Sequence, residues 1–244
     1  MNGFFRAAAV AVLAITGAQT ASAASLVMDF EDLEANLGNG GAWTSYEFAG
    51  RTFGISWSGG STEGANIFDT NCPVGSNATS DCGNDEDIVP GGVAGSSSNG
   101  VSGNVLIRQR NSDADGDLAN DRANTGSITF TLLSGGPLSW LGASAIDDGR
   151  FSFSSSTSSE GDFVLGVIAG LADSEAAQLT FATQSPFLQQ NDSFSILFEG
   201  SGAVDRLVFD DGMTAVPVPA ALPLMLAGLG GFGLVARRRK LRKN

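Results

Sequence analysis

Ser127-Ile-Thr-Phe-Thr-Leu-Leu133 alternates along its length: Ile128, Phe130 and Leu132 fall on one face of an extended chain, Ser127, Thr129 and Thr131 on the other. Successive side chains of a strand point to opposite faces, so this stretch predicts a half-buried β-strand with one face in a core and one in water. The same reading carries outward. Thr52-Phe-Gly-Ile-Ser-Trp57 places Phe53, Ile55 and Trp57 on one side and Thr52, Gly54 and Ser56 on the other. Strand-like runs stand at 26–30 and 105–108, and after Gly135-Gly-Pro137 at 138–146, 151–153, 163–168, 178–181, 194–198 and 206–209. The later runs follow one another at about ten-residue intervals, divided by Gly, Ser, Asn or Asp, which is the rhythm of an all-β antiparallel sandwich or jelly roll. Sixteen phenylalanines and three tryptophans, Trp43, Trp57 and Trp140, suffice to fill the space between two sheets. The one helical turn expected in this body is short, at 173–177. From 58 to 104 the composition shifts to Gly, Ser, Asn, Thr and Asp, with too few apolar residues to bury a continuous face, so a long shaped loop is expected there.

Charge is distributed unevenly. The chain has a formal net charge of −13, yet six of its 13 basic residues crowd into 237–243 and Arg6 lies near the start. The stretch 25–214 keeps six arginines and no lysine against all 26 acids, a formal charge of −20. Such a body is repelled by nucleic acid and by anionic lipid, stays soluble and can collect divalent cations. There is no histidine. The usual general base, the Ser/His/Asp and Cys/His arrangements and the commonest zinc ligand are therefore excluded, leaving carboxylates, Tyr46 or an oxygen-bound metal for any chemistry.

The two ends differ in kind from the body. Residues 1–23 combine Arg6, the apolar run 7–15 and Gly17-Ala-Gln-Thr-Ala-Ser-Ala23, the three regions of a secretory signal peptide with cleavage after Ala23. Export brings Cys72 and Cys82 into an oxidising compartment, where a disulfide closing the short intervening loop is expected, stabilising by roughly 2–3 kcal/mol on the chain-entropy model. At the other end, 215–244 reads AVPVPAALPLMLAGLGGFGLVARRRKLRKN. Its uncharged run from 220 to 236 is 17 residues, roughly 25 Å as a helix and near the lower limit for a bilayer core of about 30 Å. Arg237, Arg238, Arg239 and Lys240 follow directly and would hold the C-terminus on the cytoplasmic side. The chain thus divides into a signal peptide (1–23), one β-sandwich body (24–214, with its long loop at 58–104) and a C-terminal segment with a single hydrophobic helix (215–244).

That C-terminal order of parts resembles the PEP-CTERM sorting signal, most closely its VPLPA-type variant. Val216, Pro217, Pro219 and Ala220 match the motif, while Val218 stands where the commoner form has Glu and the variant has Leu. The prolines hold the backbone extended and deny it a helix, which presents it to an enzyme at the membrane surface. The resemblance implies an exported protein of a Gram-negative bacterium, tethered in the inner membrane, handled by an exosortase-type membrane processing enzyme, and delivered to the cell surface or the extracellular biofilm matrix beside polysaccharide.

Within the body, Asp113, Asp115, Asp117 and Asp121 space carboxylates as a Ca²⁺ loop does, but Leu118 replaces the glycine an EF-hand needs and Asn124 its bidentate Glu. The alternative is a solvated acidic turn. A weaker acidic run, 81–87, adjoins Cys82. Asp29-Phe-Glu-Asp32 near the start and Ala203-Val-Asp-Arg-Leu-Val-Phe-Asp-Asp211 near the end are similar to jelly-roll carbohydrate-binding modules, a resemblance that implies a structural Ca²⁺ shared by Glu31 and Asp205 and adjacent first and last strands. The expected function is a structural or glycan-interacting, calcium-binding surface protein rather than an enzyme. The alternative is a carboxylate-pair glycosidase on the same scaffold, for which Glu160, Glu175 and Glu199 are candidates without a motif.

Overall fold

The computed structural model describes residues 25–33, 43–59, 64–71, 88, 101–109, 124–182 and 186–212. Their strands are β1 (Leu26–Met28), β2 (Ser45–Phe48), β3 (Arg51–Trp57), β4 (Gly64–Asp69), β5 (Asn104–Gln109), β6 (Gly126–Ser134), β7 (Ser139–Ile146), β8 (Arg150–Thr157), β9 (Gly161–Ile168), β10 (Ala176–Thr180), β11 (Ser193–Glu199) and β12 (Ala203–Asp210). They form two antiparallel six-stranded sheets. The first runs β10-β7-β12-β5-β4 with β1 also on β12, and the second runs β2-β3-β6-β11-β8-β9. Ala24–Gly212 is one structural unit.

The second sheet follows the alternation of its sequence. Ile128, Phe130 and Leu132 of β6 are buried, as are Phe194, Ile196 and Phe198 of β11, while the residues between them face solvent. Phe53, Phe130 and Phe194 meet ring to ring, the last two stacked with centroids 4.7 Å apart. Across the core lies Trp140 of β7, within 4.7–6.2 Å of the rings of Phe153, Phe181, Phe194 and Phe209. A register shift against β12, between the pairs Val208↔Gly142 and Phe209↔Trp140, gives β7 an extra residue. One residue more reverses the facing of a strand. The shift therefore brings Trp140 to the same inner face as Ala143 and Ala145, and its indole N–H donates to the Gly142 carbonyl at 2.8 Å.

The first sheet is buried on both faces. Its inner face joins the main core, and its outer face carries a second cluster in which Phe68, Val105, Ile107, Ile146, Ala176 and Ala203 pack with Ile88 and Val101. This corrects the expectation for 58–104. That stretch contains strand β4, and its scattered apolar residues Ile88 and Val101 are fully buried against the sheet. The expected helical turn at 173–177 is also corrected: Asp173 and Ser174 form a turn, and Ala176 opens β10. Ser174 there has a positive φ of 60°, and the Glu175 carboxylate accepts from the Ala172 N–H at 2.9 Å, so the local polar bonding closes a turn instead of starting a helix.

Asp192 secures the entry to β11. Its carboxylate accepts from the Ser158 and Gln189 backbone N–H groups at 2.7 and 2.8 Å. Burial pushes its pKa up, but these hydrogen bonds, with one from the Ser158 side chain, outweigh it and leave the pKa below 3.8. A lowered pKa means the carboxylate's contribution is present above the unfolded value and is lost as pH falls through the folded one. Asp192→Asn is expected to cost roughly 1–3 kcal/mol in urea denaturation at pH 7, with the difference from wild type disappearing in acid.

Candidate functional site

The last strand changes partners midway. On one side β12 pairs with β7 along most of its length; on the other, Ala203 and Val204 pair with β5 and then Leu207–Phe209 pair with β1. The first and last strands are therefore neighbours, as the resemblance to jelly-roll modules implied. At the changeover Arg206 has a φ of 49° and the register shifts, a β-bulge. Asp205 sits at this bulge with only 2 % of its surface exposed, and its Oδ1 accepts from the Arg206 N–H.

Three further features converge on Asp205. Ser144 lies directly opposite it on β7 and so shares its face; the Ser144 hydroxyl is completely buried and has no hydrogen-bond partner among the described residues. Asp29 and Glu31, in the turn that follows β1, lie near enough for their negative charges to act on Asp205. Burial first, then those two charges, push the Asp205 carboxyl from 3.8 up to about 7, against the lowering effect of the Arg206 N–H and guanidinium.

The turn carrying Glu31 is built rigidly. Phe30 adopts a positive φ of 61°, and its carbonyl accepts from the Leu33 N–H at 3.0 Å. The Asn104 amide donates to the Phe30 and Leu33 carbonyls at 3.2 and 2.9 Å, while Glu31 Oε1 accepts from the Asn104 N–H at 3.0 Å. Gly103, at φ 77°, leaves the room that the Glu31 carboxylate occupies; a Cβ there would collide with it. The Tyr46 hydroxyl donates to Asp32 Oδ1 at 2.7 Å, and burial, followed by that bond and the charges of Asp32 and Asp29, holds its pKa well above the usual tyrosine range. Tyr46 is thus a protonated structural peg and not a base.

The pairing of β1 with β12 puts the turn that carries Glu31 and the bulge that carries Asp205 on neighbouring strands. Asn104, Gly103 and Ser144 complete the site, and none of them stands in a motif; only the register of β5 and β7 against β12 reveals them. Asp113, Asp115, Asp117 and Asp121, and Cys72 and Cys82, lie outside the described residues. Of the glycosidase candidates, Glu199 pairs with Arg150 at 3.1 Å, Glu175 closes its own turn, and Glu160 lies exposed in the β8–β9 turn. Among the described residues no group of three or more His, Cys, Asp or Glu side chains is gathered as a ready metal centre. A cation at the seam would take the two carboxylates together with hydroxyl, backbone or water oxygens.

Fold and seam define an antiparallel β-sandwich whose first and last strands pair, with a buried carboxylate at their seam. The comparison with protein families adds the address: residues 215–240 match the model of the PEP-CTERM protein-sorting motif. No curated protein matches the chain. The matched stretch contains Val216, Pro217, Val218, Pro219 and Ala220 and the basic cluster Arg237, Arg238, Arg239 and Lys240, all outside the described residues. The motif implies export and processing by exosortase, a membrane enzyme. Among the described residues no helix is long and apolar enough to cross a membrane; the signal peptide expected at 1–23 and the apolar run at 220–236 both lie outside them.

Proposed function

We propose that this is a structural, glycan-interacting component of the cell surface or extracellular matrix, whose sandwich is closed by a Ca²⁺ ion held at Glu31 and Asp205. The observation that carries the reading is the Asp205 carboxylate, buried at the seam of first and last strands opposite the Ser144 hydroxyl, with the acidic turn that follows β1 on the neighbouring strand. The donor set suits a hard cation: all its members are oxygens, and Ca²⁺ accepts mixed carboxylate, hydroxyl, carbonyl and water ligands. Bound there, the ion would offset the repulsion among the three carboxylates and tie β1 and the β5 start to β12. The loop carboxylates Asp113, Asp115, Asp117 and Asp121 are a second candidate for the same cation. With 26 acids in the body, Ca²⁺ would also bridge the protein to anionic extracellular polysaccharide.

Calorimetry of the full chain tests this. The melting temperature is expected to rise in millimolar Ca²⁺ relative to chelator, and the rise to shrink in Asp205→Asn. Equal melting temperatures of the wild-type chain in the two buffers would sink the calcium reading.

A further inference from the structure

The outward face of the second sheet carries hydroxyls where a solvent-facing sheet usually carries charge. Through its middle, Ser56 of β3 stands opposite Thr129 of β6, Thr129 opposite Ser195 of β11, and Ser195 opposite Ser154 of β8. The adjoining row continues the pattern with Thr131 opposite Ser193. The hydroxyls of Thr129 and Ser195 are 2.7 Å apart, and Ser134 donates to Thr52 at 3.1 Å. Each hydroxyl can donate once and accept twice, so these bonds leave capacity facing outward. Neighbouring strands lie about 4.8 Å apart, which sets the small side chains in a low two-dimensional array.

Charge on this face is confined to the rim. Glu47 lies on the outer strand β2, Asp162 at the start of β9, and Arg150 and Glu199 pair with each other at one end. On a body of formal charge −20 the middle of the face is a neutral window. Val164, 77 % exposed, and Val167 on β9 give it an apolar margin.

We infer that this face binds an extended neutral polysaccharide laid across β3, β6, β11 and β8 through hydroxyl-to-hydroxyl hydrogen bonds. The inference rests on the glycan-interacting part of the proposed function and assigns it a surface and a ligand class. Charge selects the occupant. In the middle of this face, where no carboxylate stands to hold a bridging Ca²⁺, an anionic polymer meets the repulsion of the body, and a second copy of the chain brings its own −20. A neutral glycan meets no such repulsion, and its hydroxyls can both donate and accept. Among the described residues no tryptophan or tyrosine is fully exposed, so the hold comes from many weak hydrogen bonds and favours a long or insoluble chain over a short oligosaccharide.

The test is retention of the full chain, in a polyoxyethylene detergent free of sugar headgroups, on microcrystalline cellulose, on insoluble starch and on anionic alginate beads. Retention is expected on at least one of the two neutral glucans. Thr129→Lys is expected to lower it about tenfold, the equivalent of one or two hydrogen bonds. Ser154→Lys, on another strand, gives the same readout if Thr129→Lys does not fold, and Thr180→Lys, on the edge of the first sheet, should bind as wild type does. Failure of the wild-type chain to bind either neutral glucan overturns the inference, as does a folded Thr129→Lys or Ser154→Lys that binds undiminished. Retention on alginate alone, dependent on Ca²⁺, also overturns it while leaving the calcium-bridged reading of the function standing.

Discussion

In chelator at pH 8, Asp205→Asn is expected to melt on the order of 10 °C above the wild-type chain, and the two should converge as pH falls toward 4. Folding raises the Asp205 carboxyl from 3.8 to about 7. A raised carboxylate pKa means that the folded state holds the proton more tightly than the unfolded one. Stability is then fullest below the unfolded value and is lost as pH rises through the folded value. Above pH 7 the loss amounts to something on the order of 4 kcal/mol. Asparagine keeps an oxygen for the Arg206 N–H and carries no charge, so it escapes the penalty. Ca²⁺ should reverse the order, because the wild-type chain gains a ligand that the Asn variant has weakened. An Asn variant that melts below wild type in chelator at pH 8 would show that the ionised carboxylate is satisfied by the protein itself.

The second large effect is expected at Trp140. Trp140→Ala should cost roughly 3–5 kcal/mol in urea denaturation, because the cavity left by so large a side chain collapses only in part. Four aromatic rings line that space, contributed by β8, β11, β12 and the residue after β10. Phe194 and Phe209 touch each other as well as Trp140, with centroids 5.4 Å apart, so the loss reaches both sheets at once. Trp140→Phe keeps most of the volume but drops the bond to the Gly142 carbonyl, and a smaller loss is expected. Equal losses for the two variants would mean that the hydrogen bond, and not the packing, dominates at this position.

Much of the sandwich was legible, the second sheet above all because its strands are buried on one face only. The alternation in 127–133 and 52–57 names the inward residues of β6 and β3 directly, and the turn residues between later runs separate β7 to β12. Two strands escaped for physical reasons. Gly64-Ala-Asn-Ile-Phe-Asp69 belongs to a sheet covered on both faces, so Asn66 and Ile67 are both buried and no alternation appears. Ser45-Tyr-Glu-Phe48 is a short edge strand of four residues, too brief to show a period. The bulges at Arg206 and in β7 were equally invisible, since a bulge is defined by the partner strand and not by its own residues.

The candidate site was half legible. Acidic residues at both ends of the body point to Glu31 and Asp205, and β1 and β12, the strands next to them, are paired. Ser144 and Asn104 could not be found the same way. A serine in Trp140-Leu-Gly-Ala-Ser-Ala145 and an asparagine in Ser102-Gly-Asn104 are unremarkable until the register puts the first opposite Asp205 and the second under the Glu31 turn. The hydroxyl face, by contrast, was written in the polar half of the same alternation that revealed the core.

Processing at the C-terminal motif would release the acidic sandwich from its membrane tether. Intact-mass spectrometry of the protein recovered from the cell surface tests it most directly. A mature chain is expected that begins after Ala23, ends within or next to Val216-Pro-Val-Pro-Ala220 and lacks the basic cluster at 237–243. A surface form that retains Arg237, Arg238, Arg239 and Lys240 would contradict it and leave the tail as a permanent anchor.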